Sequence, residues 1–257
     1  MIKWILLIVA LVVLLVPRRR SSLVIVTAHY NEDIEWLKKS KYPVVLCDKP
    51  GAKSSSFTPD KSCTLDVNRG REASSYLKYI VENYDRLPDR IAFIHGHETA
   101  EHQRYPGHIL QAIDDAREDF DFINLNNDIH LEKSSCSTKI PESKVTTTCD
   151  FTHIFNNLMK KDWETLFKPM VGFELPEYLR FGAHSQFITT RKAIRRHSKE
   201  RYQKLLDYMI EEGQNDYDRG LVLEFLWESI LSGHGADMCK TLEDCTNSGY
   251  RKSRFYS

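Results

Sequence analysis

Short apolar runs, each closed by polar residues, set the rhythm of the chain. Leu23–Ala28 is largely β-branched and passes directly into His29-Tyr30-Asn31-Glu32-Asp33, the pattern of a buried parallel strand with a polar far end. Val44–Cys47 repeats that pattern and ends at Asp48, before the turn residues Lys49-Pro50-Gly51. The serine-rich stretch from Lys53 to Lys61 then reads as a surface loop. Between Glu72 and Tyr84 the residues Ala73, Tyr76, Leu77, Ile80, Val81 and Tyr84 recur at helical spacing, which predicts a helix with one buried face that Pro88 keeps from extending. Ile91–Ile94 predicts a third strand, running into His95-Gly96-His97-Glu98.

Further along, a helix is expected over His108–Arg117 and a strand over Asp121–Leu125, which leads to Asn126-Asn127-Asp128. Residues 132–150 are polar and read as a loop. Ser185–Thr190 alternates as a strand does, Tyr202, Leu205, Leu206, Met209 and Ile210 mark an amphipathic helix, and Leu221–Leu231 is apolar nearly all round, as a buried helix is. Strands and helices in this order, with polar residues at the strand ends, predict an α/β fold: one Rossmann-like domain over residues 21–257, with a mostly parallel central sheet flanked by helices and a ligand crevice at the strand C-termini.

Residues 1–20 do not fit that domain. Trp4–Val16 is unbroken apolar, with Lys3 before it and Pro17-Arg18-Arg19-Arg20 after it, so residues 2–17 are expected to form an uncleaved hydrophobic anchor helix, with a cleaved leader as the alternative. The three arginines would hold the domain on the cytosolic side by a positive-inside count. The six cysteines argue for the lumen, because Cys47 with Cys63, Cys136 with Cys149 and Cys239 with Cys245 form three near pairs, as disulfides would. The expectation taken forward is a single-pass protein facing the ER or Golgi lumen. Basic and acidic residues balance at 36 each, so no global field gathers phosphate backbones and nucleic acid is not an expected partner.

Tyr30-Asn31-Glu32, following a first strand, resembles the opening of nucleotide-sugar transferases of the GT-A type. A more specific set is Asn68-Arg69-Gly70-Arg71-Glu72, then Tyr76-Leu77, then Tyr84 through Asp89, then Phe93-Ile94-His95-Gly96-His97. Together with Ser185-Gln186-Phe187 through Ile194, Tyr202, and Leu223 through Trp227, it resembles the family catalogued as domain of unknown function 3431, considered glycosyltransferase-like, over residues 23 to 235. The resemblance implies a glycosyltransferase fold and reaction class, and with the apolar segment of residues 2–17 the expectation is a membrane-tethered enzyme that moves a sugar from a nucleotide-sugar donor to a glycan or glycoprotein acceptor. Two alternatives remain open: a metal-dependent hydrolase built on the His95–His102 cluster, and a non-catalytic carbohydrate-binding domain.

Sugar transfer needs a crevice for the nucleotide, neutralisation of the leaving diphosphate, and in many cases a base for the acceptor hydroxyl. His29, Asn31, Glu32, Asp48, Arg71, His95 and His97 are the candidates for donor binding, and His184 and Gln186 for the acceptor. Where the resemblance would place a metal-holding Asp-x-Asp pair, this chain has His95-Gly96-His97-Glu98. His95, His97 and Glu98, with His102 in reserve, are candidate ligands for Mn²⁺ or Zn²⁺. Histidines that bond directly to phosphate or sugar are the alternative. Glu224, a carboxylate in an apolar helix, is the first candidate for a catalytic base, with Asp218 second.

Overall fold

The computed structural model describes residues 22–99, 108–126, 158–175 and 184–232, together with the backbone of four further strands between 129 and 182. The apolar segment of residues 2–17, His102, Asn127, Asp128 and the cysteines beyond Cys63 lie outside the described residues, apart from any backbone strand. Among the described residues no helix is long and apolar enough to cross a membrane.

Six strands form the main sheet: β1 (Leu23–His29), β2 (Val44–Asp48), β3 (Lys61–Thr64), β4 (Arg90–His95), β5 (Phe122–Asn124) and β10 (Phe187–Thr190), in the order β3-β2-β1-β4-β10-β5. The first four run parallel, and β10 lies antiparallel to both its neighbours. The expected mostly parallel sheet is therefore present, with one reversed strand that periodicity alone could not orient.

Alternation along the strands divides the core into two layers. Val26, Ala28, Val45, Ile91, Phe93 and Phe187 face α1 (Arg71–Asn83), α3 (Lys199–Ile210) and α4 (Asp216–Ser232). Ile25, Val44, Leu46, Ala92, Ile94 and Ile188 face Trp36, Leu37 and the short α2 (Ile109–Asp115). The α1 stripe lands as its spacing predicts, with Ala73, Tyr76, Leu77, Ile80 and Val81 buried. α4 is buried nearly all round, as its composition requires.

Two readings change. The stretch from Lys53 to Lys61 is a loop only as far as Asp60: β3 begins at Lys61 and pairs with β2 so that Cys63 lies opposite Cys47, and a disulfide joins the two. One of the three expected near pairs is thus formed. Residues 132–150 are not one loop, because β6 (Ile129–Lys133), β7 (Ser137–Ile140) and β8 (Thr146–Thr148) make a second, antiparallel sheet with β9 (Tyr178–Gly182), in the order β8-β7-β6-β9. β7 (Ser-Thr-Lys-Ile) and β8 (Thr-Thr-Thr) are nearly all polar, and polar strands carry little hydrophobic signal. In the chain between β8 and β9, α-helical turns at Lys160–Asp162 and Lys168–Val171 flank a π-helical turn, Trp163–Phe167, that buries Trp163 and Phe167.

Candidate functional site

In an open parallel sheet, chains leaving neighbouring strands in opposite directions leave a crevice at the strand C-termini. Here that point falls between β1, which leads towards β2, and β4. A cavity of about 290 Å³ occupies it, lined by His29, Tyr30 and Glu32 after β1, Lys49 after β2, His95 and His97 at the end of β4, Asn68, Arg71 and Glu72 around the start of α1, and Asp216 at the start of α4.

Backbone geometry shapes the walls. Gly96 lies so close to β1 that a Cβ would stand 3.0 Å from the Ala28 carbonyl oxygen and from the Glu32 Cβ. Gly70 caps α1 in the left-handed region at φ 72°, and its amide donates to the Asp216 carboxylate across the gap between α1 and α4. Arg71 follows at φ 46°, a strained value for a side-chain-bearing residue. Its stem crosses α4 at Gly220, where a Cβ would meet the Arg71 Cδ at 2.7 Å, and its guanidinium lies 4.9 Å from the Tyr217 ring centroid. Its ion pair with Glu72 is loose, at 3.8 Å.

Several expected residues meet here. Glu32 is fixed as an acceptor for the amides of Tyr30 (2.7 Å) and Asn31 (3.0 Å), so it shapes the loop while lining the cavity. His95 and His97 stand side by side, with Nδ1 of the first 3.3 Å from Nε2 of the second, and burial lowers the His97 pKa. A proton between two imidazoles leaves one nitrogen as donor and the other as acceptor.

Others are engaged elsewhere. Glu98 turns away to accept from Lys39 (2.8 Å) and His108 (2.9 Å), and these two partners hold its carboxyl below the usual range. Among the described residues no group of three or more His, Cys, Asp or Glu side chains is placed to hold a metal, so His95, His97 and Glu98 do not form the expected ligand set. Asp48 accepts from His29 at 2.7 Å, outside the cavity wall, and the Asn31 side chain is exposed. Both ends of the Gln186 amide are occupied: Oε1 accepts from the His95 amide at 3.1 Å and Nε2 donates to Asn126 at 2.8 Å. Glu224 accepts the His184 amide at 2.9 Å and so holds a turn in which His184 and Ser185 both have positive φ, 69° and 48°. Asp218 also lies off the wall. The acid of this helix that reaches the cavity is Asp216.

Lys49, Glu72 and Asp216 are the charged lining groups that sequence alone does not single out, and Tyr30 and Asn68 join them as polar ones. The Lys49 side chain is drawn inward, the residue only 7% exposed, with Nζ donating to the Arg69 carbonyl at 3.0 Å. Burial pulls its pKa down to about 8 against the opposing pull of Asp216, Glu72 and Glu32. The Glu72 side chain is 14% exposed, and burial raises its pKa. Its place in the family motif, next to the arginine that was selected, is the one signal that would have found it.

The chain is therefore an open α/β domain with a charged crevice at the topological switch point of its sheet. It belongs to the family described as protein of unknown function (DUF3431), whose model matches residues 24–248. No curated protein matches it.

Proposed function

We propose that this protein is a glycosyltransferase that moves a sugar from a nucleotide-sugar donor to a glycan or protein acceptor. The observation that carries the reading is the cavity at the β1–β4 switch point, where opposite charges converge at the C-termini of parallel strands, the usual place for a nucleotide in an open α/β fold. The resemblances support it: Tyr30 and Glu32 of the GT-A-like opening line that cavity, as do Arg71, Glu72, His95 and His97 of the motifs shared with a family considered glycosyltransferase-like.

In this reading the acceptor hydroxyl gives its proton to Glu72 while its oxygen bonds to the anomeric carbon. The bond from that carbon to the diphosphate breaks, and the diphosphate leaves with the electron pair. Glu72 suits the base role better than Glu224, because Glu224 is bound to the His184 turn and Glu72 lines the cavity with only a loose ionic partner. A carboxylate whose pKa is raised towards neutrality is a better base than an ordinary one. Arg71 and Lys49 offset the charge on the departing group. Residues 2–17 tether the domain to a membrane, and the Cys47–Cys63 disulfide favours a lumenal setting.

The test is a screen of the full-length protein against UDP-, GDP- and CMP-sugars, with and without Mn²⁺, reading thermal shift and free nucleotide. Stabilisation by one nucleotide with release of that nucleotide supports transfer and identifies the donor class. Glycan binding without release from any donor would leave the binding-domain reading in its place, and turnover that needs a tightly bound metal but no nucleotide would leave the hydrolase.

A further inference from the structure

We infer that Lys49 is a proton-coupled receptor for an oxyanion: the cavity takes a ligand's phosphate-class group against Lys49 and Arg71, and Lys49 acquires its proton as the ligand binds. The inference rests on the cavity and does not need the sugar-transfer reading.

A buried ammonium without a counter-ion is costly, and a methionine or leucine would fill the same space at less expense. Among the described residues Lys49 makes no ion pair, and its single hydrogen bond, to the Arg69 carbonyl, uses one of three ammonium donors. Arg71 brings a second cation to the same cavity, on a strained backbone and through the notch that Gly220 leaves in α4. Two separate irregularities thus serve to place one guanidinium. The carboxylates nearby do not replace a ligand: Asp216 is engaged with the Gly70 amide, and Glu72 touches Arg71 only loosely.

The charged groups acting on Lys49 are Asp216 from α4, Glu72 and Arg71 from α1, and Glu32 from the loop after β1, and the same cavity also holds the imidazoles of His29 at the end of β1 and of His95 and His97 at the end of β4. Their combined pull does not overcome burial, and the lysine titrates near pH 8. An arriving oxyanion adds negative charge directly against the ammonium and moves Lys49 back towards the ordinary lysine value. The sign follows. Below about pH 8 Lys49 is already charged and binding takes up no proton through it, whereas above that value each binding event must bring a proton, so affinity falls by up to about tenfold per pH unit.

Calorimetric titration of the full-length protein with inorganic phosphate, pyrophosphate and UDP tests this, run at pH 6.5 and pH 9 in pairs of buffers with different ionisation enthalpies. The expected result is proton uptake at pH 9 that shrinks at pH 6.5. Lys49→Arg keeps binding and loses the uptake, because arginine stays charged throughout. Lys49→Met weakens binding at least tenfold at pH 6.5, and Arg71→Ala weakens binding while keeping the uptake. A preference for UDP over pyrophosphate assigns the oxyanion to a nucleotide, and the reverse assigns it to a free phosphate compound. Wild-type affinity in Lys49→Met, binding at pH 9 without proton uptake, or no binding of any of the three by folded protein would each overturn the inference. Failure of sugar turnover with these results intact would remove the transferase reading and leave the oxyanion site standing.

Discussion

Phe93 and His95 stand two residues apart on β4 and face the same side of the sheet, yet they belong to regions with opposite physics. Phe93 is fully buried among aromatic rings, with Tyr76 at 4.9 Å and Phe187 at 5.3 Å between centroids. His95 opens the crevice beside His97, where Lys49 and Glu72 carry charges that burial disfavours. The sheet interior packs apolar rings against one another, whereas the crevice buries ionisable groups. Substitutions in the first region should therefore cost stability, and substitutions in the second should cost activity or binding while leaving the fold intact or firmer.

Phe93→Ala gives the largest loss, about 3–5 kcal/mol of unfolding free energy in urea titration, because a cavity replaces a ring packed on several sides. Glu72→Gln lowers kcat about 10²–10⁴-fold in whichever transfer assay succeeds. The same substitution raises the thermal midpoint at pH 7. A carboxyl whose folded pKa is raised contributes stability below its unfolded pKa and loses it as pH rises through the folded one, so the wild type should gain on acidification to pH 5 relative to the variant. If Glu72→Gln instead destabilised at neutral pH, the division between the two regions would be misplaced. Cys63→Ser removes a bridge spanning 16 residues and costs about 3 kcal/mol in the same urea experiment. Tyr217→Ala, at the exposed rim of the crevice, removes the ring beneath Arg71 and costs under about 1 kcal/mol.

The two regions also differed in how far the chain alone disclosed them. β1, β2, β4 and α1 are readable because burial writes an apolar period into them, and each stripe residue from Ala73 to Val81 is buried, together with Ser74, Ser75 and Tyr79, which the spacing does not mark. β3 escapes because only Cys63 of its four residues is buried, and β7 and β8 of the second sheet escape because they are nearly all polar. At the crevice, a position just past a strand pointed to His29, Asp48, His95 and His97, but it does not say which way a side chain turns. Asp48 turned to His29, Glu98 to Lys39 and His108, and Gln186 inward to His95 and Asn126. In the sequence Lys49 reads as turn material beside Pro50-Gly51. Only the tertiary packing of α1 and α4 over the strand ends makes it a buried amine.

Gly220 has a consequence for anyone who sets out to make this protein hardier. A glycine in the middle of a helix is the usual first target of such work, since alanine there gains up to about 1 kcal/mol of helix propensity. At this position the added methyl would collide with the Arg71 stem and push the guanidinium from its place over Tyr217. The collision sets a cost against the helix gain, so this glycine belongs outside any set of residues changed for heat resistance, because whatever the melting temperature of the variant, its crevice would have lost a cation.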